Sequence, residues 1–248
     1  MISAQLYTVR DLLMDKSEDD IESVLKEIAD IGYKGVQLSG IGRMTDQLAD
    51  TYHKICQKLS LEIVATHFSL DFIEENLDDL VKWHHLWSCR YTGVGAMPDH
   101  LRNEKGIHEF IVRMEILAKA LKNHNLQLIY HNHKFEFEKS GQKTWMAILQ
   151  DHFNYTEFEL DTYWLQAGGV NPSKWIEKVR IDVIHLKDYK IKNDQVMFAE
   201  VGKGNLDFYE IISACKKKHI KHYIVEQDTS DDPLESLRIS YDYLKNLI

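Results

Sequence analysis

The chain has 248 residues, a hydrophobic fraction of 44% and a formal net charge of −9. This acidic balance disfavours nucleic acid as a partner, because that binding depends on Lys and Arg side chains that neutralise phosphates. Cys56, Cys89 and Cys215 are widely spaced and odd in number, which is not the pattern of a disulfide framework. No apolar run approaches the roughly 18 residues of a membrane span, and the N-terminus does not resemble a signal peptide. We therefore expect a cytoplasmic protein that binds neither nucleic acid nor membrane.

Short apolar runs alternate with amphipathic segments along the whole chain, without a linker between them. The predicted strands are Ile2–Leu6, Gly35–Leu38, Leu61–Phe68, Tyr91–Gly95, Leu126–His131, Phe158–Asp161, Val183–Lys187 and Tyr223–Glu226. The predicted helices are Ile21–Ile28, Leu48–Leu59, Asn76–Trp87, Ile107–Leu121, Thr144–Gln150, Pro172–Val179, Leu206–Lys217 and Leu234–Leu247. Strands that are separated by helices run parallel, because each crossover returns the chain to the same end of the sheet.

Eight strand–helix units in a chain of this length predict a single-domain (β/α)₈ TIM barrel over residues 1–248. The alternative is an open, doubly wound sheet. No GxGxxG motif follows the first strand, so the dinucleotide-binding version of that fold has no support.

Polar residues stand at or near the ends of most predicted strands. They are Gln5, Gln37, His67, His131, His133, Asp161, His185, Lys187 and Glu226. The carboxyl ends of all barrel strands meet at one face, where active sites form. One such residue alone is more often a hydrogen-bonded rim residue than a ligand. Burying several ionisable groups together would be very costly without a counter-charge, so the set predicts a divalent metal bound by residues that include Asp161, His185 and Glu226.

The ligand types narrow the choice of metal. A mixture of imidazole and carboxylate suits Mn²⁺, Zn²⁺, Co²⁺ or Fe²⁺ better than Ca²⁺, and Mg²⁺ is less expected. None of the three cysteines lies at these strand ends, so a thiolate site is not indicated.

At these residues the chain resembles the sugar phosphate isomerase/epimerase family, the xylose-isomerase-like barrels that also include the endonuclease IV type. The resemblance covers essentially the whole chain and is specific for the superfamily rather than for one reaction. The segments that carry it are Gly32–Leu38, Tyr130–Phe137, Leu160–Trp164, Ile184–Asp188, Val201–Phe208 and Ile224–Asp228.

The resemblance implies a metal held by a Glu after strand five, an Asp after strand six, a His after strand seven and a Glu after strand eight. Three of these positions correspond to Asp161, His185 and Glu226. Where relatives have the sequence Glu-Asn-His at the end of strand five, this chain has His131-Asn132-His133, so His131 is the expected fourth ligand. Glu136, on the loop just beyond, is the alternative carboxylate for the metal or for catalysis.

The resemblance further implies an isomerase or epimerase of a small sugar or keto-sugar that acts through a metal-stabilised enediolate. In this scheme Glu226 is both ligand and base, His133 is a second acid/base, and Lys187 stabilises the developing oxyanion. Gln5, Gln37 and His67 are expected to hydrogen-bond substrate hydroxyls, and Trp164 to stack on the sugar or to pack. A homodimer is a further expectation for a barrel of this kind.

Two alternatives stay open. Because His131 replaces a glutamate of the family's two-glutamate scheme, a metal-dependent lyase, dehydratase or hydrolase acting on a keto-sugar or cyclitol is the first. The second is a non-catalytic sugar-binding barrel. DNA repair of the endonuclease IV type is disfavoured, since the chain is acidic and lacks the additional metal ligands. The segment Gly202-Lys203-Gly204 is a weak candidate for a phosphate-binding loop.

Overall fold

A computed structural model describes residues 1–248, and its eight parallel strands close into a barrel in which each strand pairs with its neighbours in the chain. The first and last strands complete the ring, with Ala4 opposite Val225. The barrel strands are β1 (Ile2–Gln5), β2 (Gly35–Leu38), β3 (Glu62–Phe68), β4 (Tyr91–Val94), β5 (Gln127–His131), β6 (Glu157–Asp161), β7 (Val183–Leu186) and β8 (His222–Val225). The predicted (β/α)₈ barrel is confirmed.

Helices surround the barrel and begin at side chains that cap their first turns. Ser17 forms a capping box with Asp20, and Thr45 and Asn103 accept hydrogen bonds from the first turns of their helices. The helices are α1 (Glu18–Ile31), α2 (Asp46–Leu59), α3 (Leu70–Glu75), α4 (Leu77–Leu86), α5 (Glu104–Lys122), α6 (Trp145–His152), α7 (Thr162–Ala167), α8 (Pro172–Lys178), α9 (Phe208–Lys217) and α10 (Pro233–Leu244). None of them is both long and apolar enough to cross a membrane.

A β-hairpin follows β7 that the sequence analysis did not predict. Its arms, Asp188–Lys192 and Gln195–Ala199, pair antiparallel. The turn residues Asn193 and Asp194 have φ values of 51° and 60°. Two consecutive residues with positive φ are typical of the tight turn that joins two hydrogen-bonded strands, and Asn and Asp tolerate that conformation. The hairpin therefore begins at the face of the barrel where the carboxyl ends of the strands meet.

Other short elements were also missed. A 3-10 helix, Leu6–Leu12, follows β1, and α3 and α7 follow β3 and β6. A second small hairpin joins Lys139–Ser140 to Lys143–Thr144. All of these lie in loops, where local hydrogen bonding rather than hydrophobic periodicity determines the structure.

The barrel interior changes from apolar to polar along its axis. Alternate residues of each strand face inward, so Ile129, Val183 and Ile224 belong to an apolar cluster in the interior. Two positions further along their strands, the same faces carry His131 and His185. Both histidines are buried. The polar half of the interior is therefore placed at the carboxyl ends of the strands.

Asp188, directly after β7 and Lys187, organises the loop beyond the hairpin. Its carboxylate accepts hydrogen bonds from the backbone N–H groups of Tyr189, Gly202, Gly204 and Leu206, at 2.8–3.1 Å. The N–H groups of Gly202 and Gly204 are thus directed at a carboxylate of the protein itself. The Gly202-Lys203-Gly204 segment is a structural turn, and the N–H groups of its two glycines are not free to bind a phosphate.

Gly204→Ala is expected to destabilise the fold. An added Cβ would lie 2.3 Å from both Asp188 Oδ1 and the Tyr189 carbonyl oxygen, so backbone must move. We expect the free energy of unfolding to fall by about 1–3 kcal/mol, as for other overpacked sites. Urea denaturation followed by circular dichroism measures the change. An unchanged midpoint and slope would show that the turn has more room than the structure indicates.

Candidate metal centre

Four buried side chains converge at the carboxyl ends of β5 to β8: His131, Asp161, His185 and Glu226. One nitrogen or oxygen from each lies within 4.8 Å of those of the others. His131 Nε2 is 3.4 Å from Asp161 Oδ2 and 4.0 Å from Glu226 Oε2. His185 Nδ1 is 2.9 Å from Glu226 Oε2. Inward-facing positions on neighbouring parallel strands bring the four together.

Two atoms of this group are buried acceptors without a hydrogen-bond partner: His131 Nε2 and Asp161 Oδ2. The other polar atom of each side chain is held by a backbone hydrogen bond, which fixes the orientation of the side chain. His131 Nδ1 donates to the carbonyl oxygen of Gly95 at 3.0 Å, which leaves the lone pair on Nε2. Asp161 Oδ1 accepts from the N–H of Trp164 at 2.9 Å, and Oδ2 accepts no hydrogen bond, its nearest cation being the Lys187 ammonium at 3.4 Å. Buried polar atoms normally have partners, so two that point toward the same centre fit a divalent cation there.

Lys187 places an ammonium group beside the same carboxylates. Its Nζ lies 3.0 Å from Glu226 Oε2, 3.4 Å from Asp161 Oδ2 and 2.7 Å from Asp228 Oδ1. Burial would lower the pKa of Lys187, but these three carboxylates raise it above its ordinary value. Lys187 therefore stays charged, and it offsets part of the negative charge of the centre.

A further buried carboxylate, Glu159, lies beneath the centre and was not assigned a role from the sequence. It stands two residues before Asp161 on β6, on the same inward face, and its side chain is fully buried. Its oxygens hydrogen-bond to Gln37 and His67. Burial would raise the pKa of Glu159, but His185 and His67 hold it well below its ordinary range. The two-residue spacing from Asp161 was the signal that could have revealed it.

Gln5 and Gln37 do not contact the cavity, although the sequence analysis placed them there as substrate ligands. Both side chains are fully buried in the barrel interior. Gln5 Nε2 donates to Gln37 Oε1 at 3.0 Å, and Gln37 Nε2 donates to Glu159 Oε1 at 2.9 Å. Their amides are therefore occupied by hydrogen bonds to each other and to Glu159 in the barrel interior.

Glu136 also lies apart from the centre. One of its oxygens accepts a hydrogen bond from the Tyr130 hydroxyl and the other from the N–H of His133 at 2.8 Å. It is absent from the group of four that includes His131. Of the two candidates for the fourth ligand, the structure brings His131 to the other three and leaves Glu136 behind β5.

The centre opens into a cavity of about 550 Å³ that is lined mostly by polar and charged residues. His67, His133, Lys187 and Glu226 reach this wall, as the sequence analysis expected of groups that meet substrate. Burial and the neighbouring His131 lower the pKa of His133 to about 3, so its imidazole is neutral. Trp164 does not line this cavity. Its ring lies over Lys187, whose Nζ is 5.2 Å from the ring centroid, and packs against His133.

Arg10, on the 3-10 helix after β1, is a cavity residue that the sequence analysis missed. Its guanidinium lies over the ring of Tyr7, 4.1 Å from the centroid. It also donates to the carbonyl oxygens of Tyr7 at 2.7 Å and Asp228 at 3.0 Å. No sequence pattern marked it, because the 3-10 helix that aims it at the cavity was itself not predicted.

A family model described as xylose isomerase-like TIM barrel matches residues 25–247. The chain belongs to this family. No curated protein sequence matches it significantly.

Solved structures with the same fold include three whose names bear on function. A sugar phosphate isomerase/epimerase from Parabacteroides distasonis ATCC 8503 has a TM-score of 0.81 and 20% identity, covering 98% of this chain and 97% of that one. The probable 3-DHS dehydratase AsbF of Bacillus anthracis has a TM-score of 0.76 and 15% identity, covering 99% and 98%. A D-allulose 3-epimerase from Methylomonas sp., in complex with D-allulose, has a TM-score of 0.75 and 12% identity, covering 100% and 96%. At these identities the likeness shows the fold.

Glu136 makes the stability of the fold depend on pH in a specific direction. Burial raises the pKa of Glu136 to about 7. Between the ordinary carboxyl range and pH 7 the folded state keeps a proton that the unfolded chain releases, so this contribution to stability falls as pH rises. We expect the free energy of unfolding of the wild type, relative to Glu136→Gln, to fall by on the order of 2–3 kcal/mol between pH 5 and 8.

Urea denaturation of both proteins at each pH measures this difference. Glu138→Gln, an exposed carboxylate on the same loop, is the matched control and should show no such trend. A difference between wild type and Glu136→Gln that is constant across the pH range would contradict the raised pKa.

Proposed function

We propose that this protein is a metal-dependent isomerase or epimerase of a small sugar or keto-sugar, with the metal held by His131, Asp161, His185 and Glu226. The observation that carries the proposal is the pair of unpartnered buried atoms, His131 Nε2 and Asp161 Oδ2, within this group of four. Mixed imidazole and carboxylate ligands suit Mn²⁺, Zn²⁺, Co²⁺ or Fe²⁺. When bound, such an ion would polarise a substrate carbonyl and acidify the adjacent C–H.

The residues around the centre have complementary roles in this proposal. Glu226 faces the cavity and, besides binding metal, is the base that removes the proton next to the carbonyl. The ammonium of Lys187 stabilises the negative charge that develops on the carbonyl oxygen. His133 and His67, the other imidazoles on the wall, are the groups that can return a proton. Trp164 shields Lys187 from water.

The cavity wall supports a hydroxylated substrate of small size. Only 3 of its 14 lining residues are hydrophobic. Ser39, Ser69 and Thr229 add hydroxyl groups that can donate to or accept from a sugar. A volume of about 550 Å³ is of the order that holds one small molecule. We therefore propose a small carbohydrate as the partner of this site.

A dehydratase or other lyase of a keto-sugar or cyclitol is the second proposal, and one observation favours it. His131 occupies the place where the family resemblance implies a glutamate, so no carboxylate after β5 lines the cavity, whose two carboxylates, Glu226 and Asp228, both follow β8. Elimination next to a carbonyl needs one base and stabilisation of the developing anion, which Glu226 and Lys187 provide. A relative of the same fold bears the name of a dehydratase.

Metal binding is the first expected outcome. We expect the purified protein to bind about one Mn²⁺ or Co²⁺ per chain, and Asp161→Asn to weaken the affinity at least about tenfold, because the centre loses a ligand charge. Isothermal titration calorimetry measures both. Asp182→Asn, a change of the same kind at the opposite end of the barrel, is the control and should bind as the wild type does. Failure of the wild type to bind any of the four metals would exclude the proposed centre.

Solvent deuterium separates the two reactions. The Mn²⁺-loaded protein is incubated in D₂O with ketohexoses, their phosphates and keto-cyclitols. For the isomerase or epimerase we expect deuterium next to the carbonyl in a product of unchanged composition. For the lyase we expect loss of water or of another leaving group. Glu226→Gln should slow either reaction by about 10²–10⁴-fold. Wild-type rates in that variant would remove Glu226 from the chemistry, and binding without any turnover would favour a sugar-binding barrel.

A further inference from the structure

Glu159 forms the base of a hydrogen-bonded chain that leads to the metal centre. Its carboxylate is fully buried, and it lines no cavity. Gln37 Nε2 donates to Glu159 Oε1 at 2.9 Å, and His67 Nε2 hydrogen-bonds to Glu159 Oε2. On the far side of Gln37, its Oε1 lies 2.6 Å from His185 Nε2. Glu159 Oε1 also lies 3.2 Å from His185 Nε2, so Glu159 connects to a proposed metal ligand both directly and through one glutamine.

The direction of each hydrogen bond in this chain follows from the chemistry of its ends. An ionised carboxylate can only accept hydrogen bonds, so the NH₂ end of Gln37 must face Glu159. The oxygen end of Gln37 must then face His185, which makes His185 Nε2 the donor. A histidine that binds a metal is neutral and carries one proton, so with that proton on Nε2 the lone pair of a metal-bound His185 is on Nδ1, which hydrogen-bonds to Glu226 Oε2 when no metal is bound.

The hydrogen bonds at Gln5, on the other side of Gln37, require the same orientation of the Gln37 amide. The N–H of Tyr7 donates to Gln5 Oε1 at 3.4 Å, so the NH₂ group of Gln5 points inward. Gln5 Nε2 donates to Gln37 Oε1 at 3.0 Å. Gln37 Oε1 therefore accepts from Gln5 and from His185, while its NH₂ group is held by Glu159. Reversing the amide would place two donors against each other at Gln5 and two acceptors at Glu159.

His185 Nδ1 is the nitrogen that faces the centre, 2.9 Å from Glu226 Oε2. We propose that Glu159 is a positioning residue for the metal: by its own contact with His185 Nε2 and through Gln37, it fixes the tautomer of the metal-bound His185 so that the Nδ1 lone pair is directed at Asp161, Glu226 and His131. This role rests on the metal centre proposed above. Outer partners of metal-binding histidines commonly orient the ring and strengthen its binding in this way.

Glu159 could instead be a ligand of a second metal with His67 and His185, since these three also lie within 4.8 Å of one another. The hydrogen bonds argue against this. Both oxygens of Glu159, His67 Nε2 and His185 Nε2 all have protein partners. None of these atoms is among the buried polar atoms that lack a partner. The group is a closed hydrogen-bonded network, whereas His131 and Asp161 present free atoms.

The test measures Co²⁺ affinity and the visible spectrum of bound Co²⁺. We expect Glu159→Gln to weaken Co²⁺ binding about 10–100-fold and to change the spectrum. A glutamine at 159 can present its NH₂ group to Gln37 as readily as its oxygen, and it has no charge to hold the chain in one direction. Glu157→Gln is the matched control, two residues earlier on the same strand, and should bind Co²⁺ as the wild type does.

A swapped variant separates positioning from a general effect on folding. In Glu159→Gln/Gln37→Glu the carboxylate moves next to His185 Nε2 and accepts from it directly, so we expect most of the Co²⁺ affinity to return. Unchanged affinity in Glu159→Gln, or equal loss in the swap when both variants are folded by circular dichroism, would overturn the role of Glu159. Absence of Co²⁺ binding by the wild type would overturn the metal centre itself, and this role with it.

A measurement on the wild type covers the case in which the variants do not fold. With Zn²⁺ bound, ¹⁵N spectra of the histidine rings report which nitrogen carries the proton. We expect the two metal-bound rings to differ: His131, whose Nδ1 donates to Gly95, binds through Nε2, and His185 binds through Nδ1 with Nε2 protonated. The opposite tautomer, with the proton on Nδ1, would overturn the proposed direction of the chain.

Discussion

The burial of several carboxylates at one end of the barrel interior is the constraint on which the rest of the site depends. Glu159, Asp161 and Glu226 are all buried; the ammonium of Lys187 faces Asp161 and Glu226, and the imidazoles of His67 and His185 face Glu159. Isolated charges in such surroundings would cost many kcal/mol. Each carboxylate is stabilised by hydrogen-bond donors or cations, and the atoms that remain unpaired point toward a common centre. The fold tolerates this charge because the ends of the strands place compensating groups within 4 Å.

Backbone geometry prepares this centre as much as the side chains do. His131 is held by the carbonyl oxygen of Gly95, and Asp161 by the N–H of Trp164 at the start of α7. Asn132 Oδ1 accepts from the N–H of Asp161 at 3.1 Å and ties the ends of β5 and β6 together. Ligands supported by rigid strands and by a second layer of hydrogen bonds lose little freedom when they bind. The centre is organised before any ligand arrives.

The sequence predicted the fold well because eight apolar strands and eight amphipathic helices have strong periodicity. The convergence of His131, Asp161, His185 and Glu226 was also predictable, since parallel strands bring their carboxyl ends together. How deep in the barrel interior a side chain lies was not predictable from the sequence. Gln5 and Gln37 were expected at the cavity, but they lie one layer beneath it, and Glu159 was passed over beside the more obvious Asp161. Interior layers depend on the stagger between strands, which periodicity does not report.

Loops were predicted least well, and the reason is physical. Glu136 was the alternative ligand because it follows β5 closely in the sequence, yet a short 3-10 helix, Phe135–Phe137, turns its carboxylate back toward Tyr130. The hairpin after β7 had a local signal in Asn193 and Asp194, but its packing on Tyr163 through Phe198 is a tertiary contact. Such segments are shaped by individual hydrogen bonds and contacts, which a hydrophobic pattern does not encode.

The presence of His131 at the end of β5 changes the charge of the proposed ligand set as well as its chemistry. A set of three carboxylates and one imidazole, as the family resemblance implies, carries three negative charges. Two carboxylates and two neutral imidazoles carry two, so a divalent ion leaves this set neutral. In the proposed function, such a neutral centre would not oppose the negative charge that develops on the carbonyl of an uncharged sugar, and Lys187 adds a positive charge beside it. The same substitution removes a carboxylate base from the cavity, which shifts the burden of any second proton transfer to His67 and His133. The pKa of His133 is lowered to about 3 by burial and by His131, so it is a weak base. Chemistry that needs one carboxylate base and a stabilised anion therefore fits the proposed site better than a symmetrical exchange between two carboxylates.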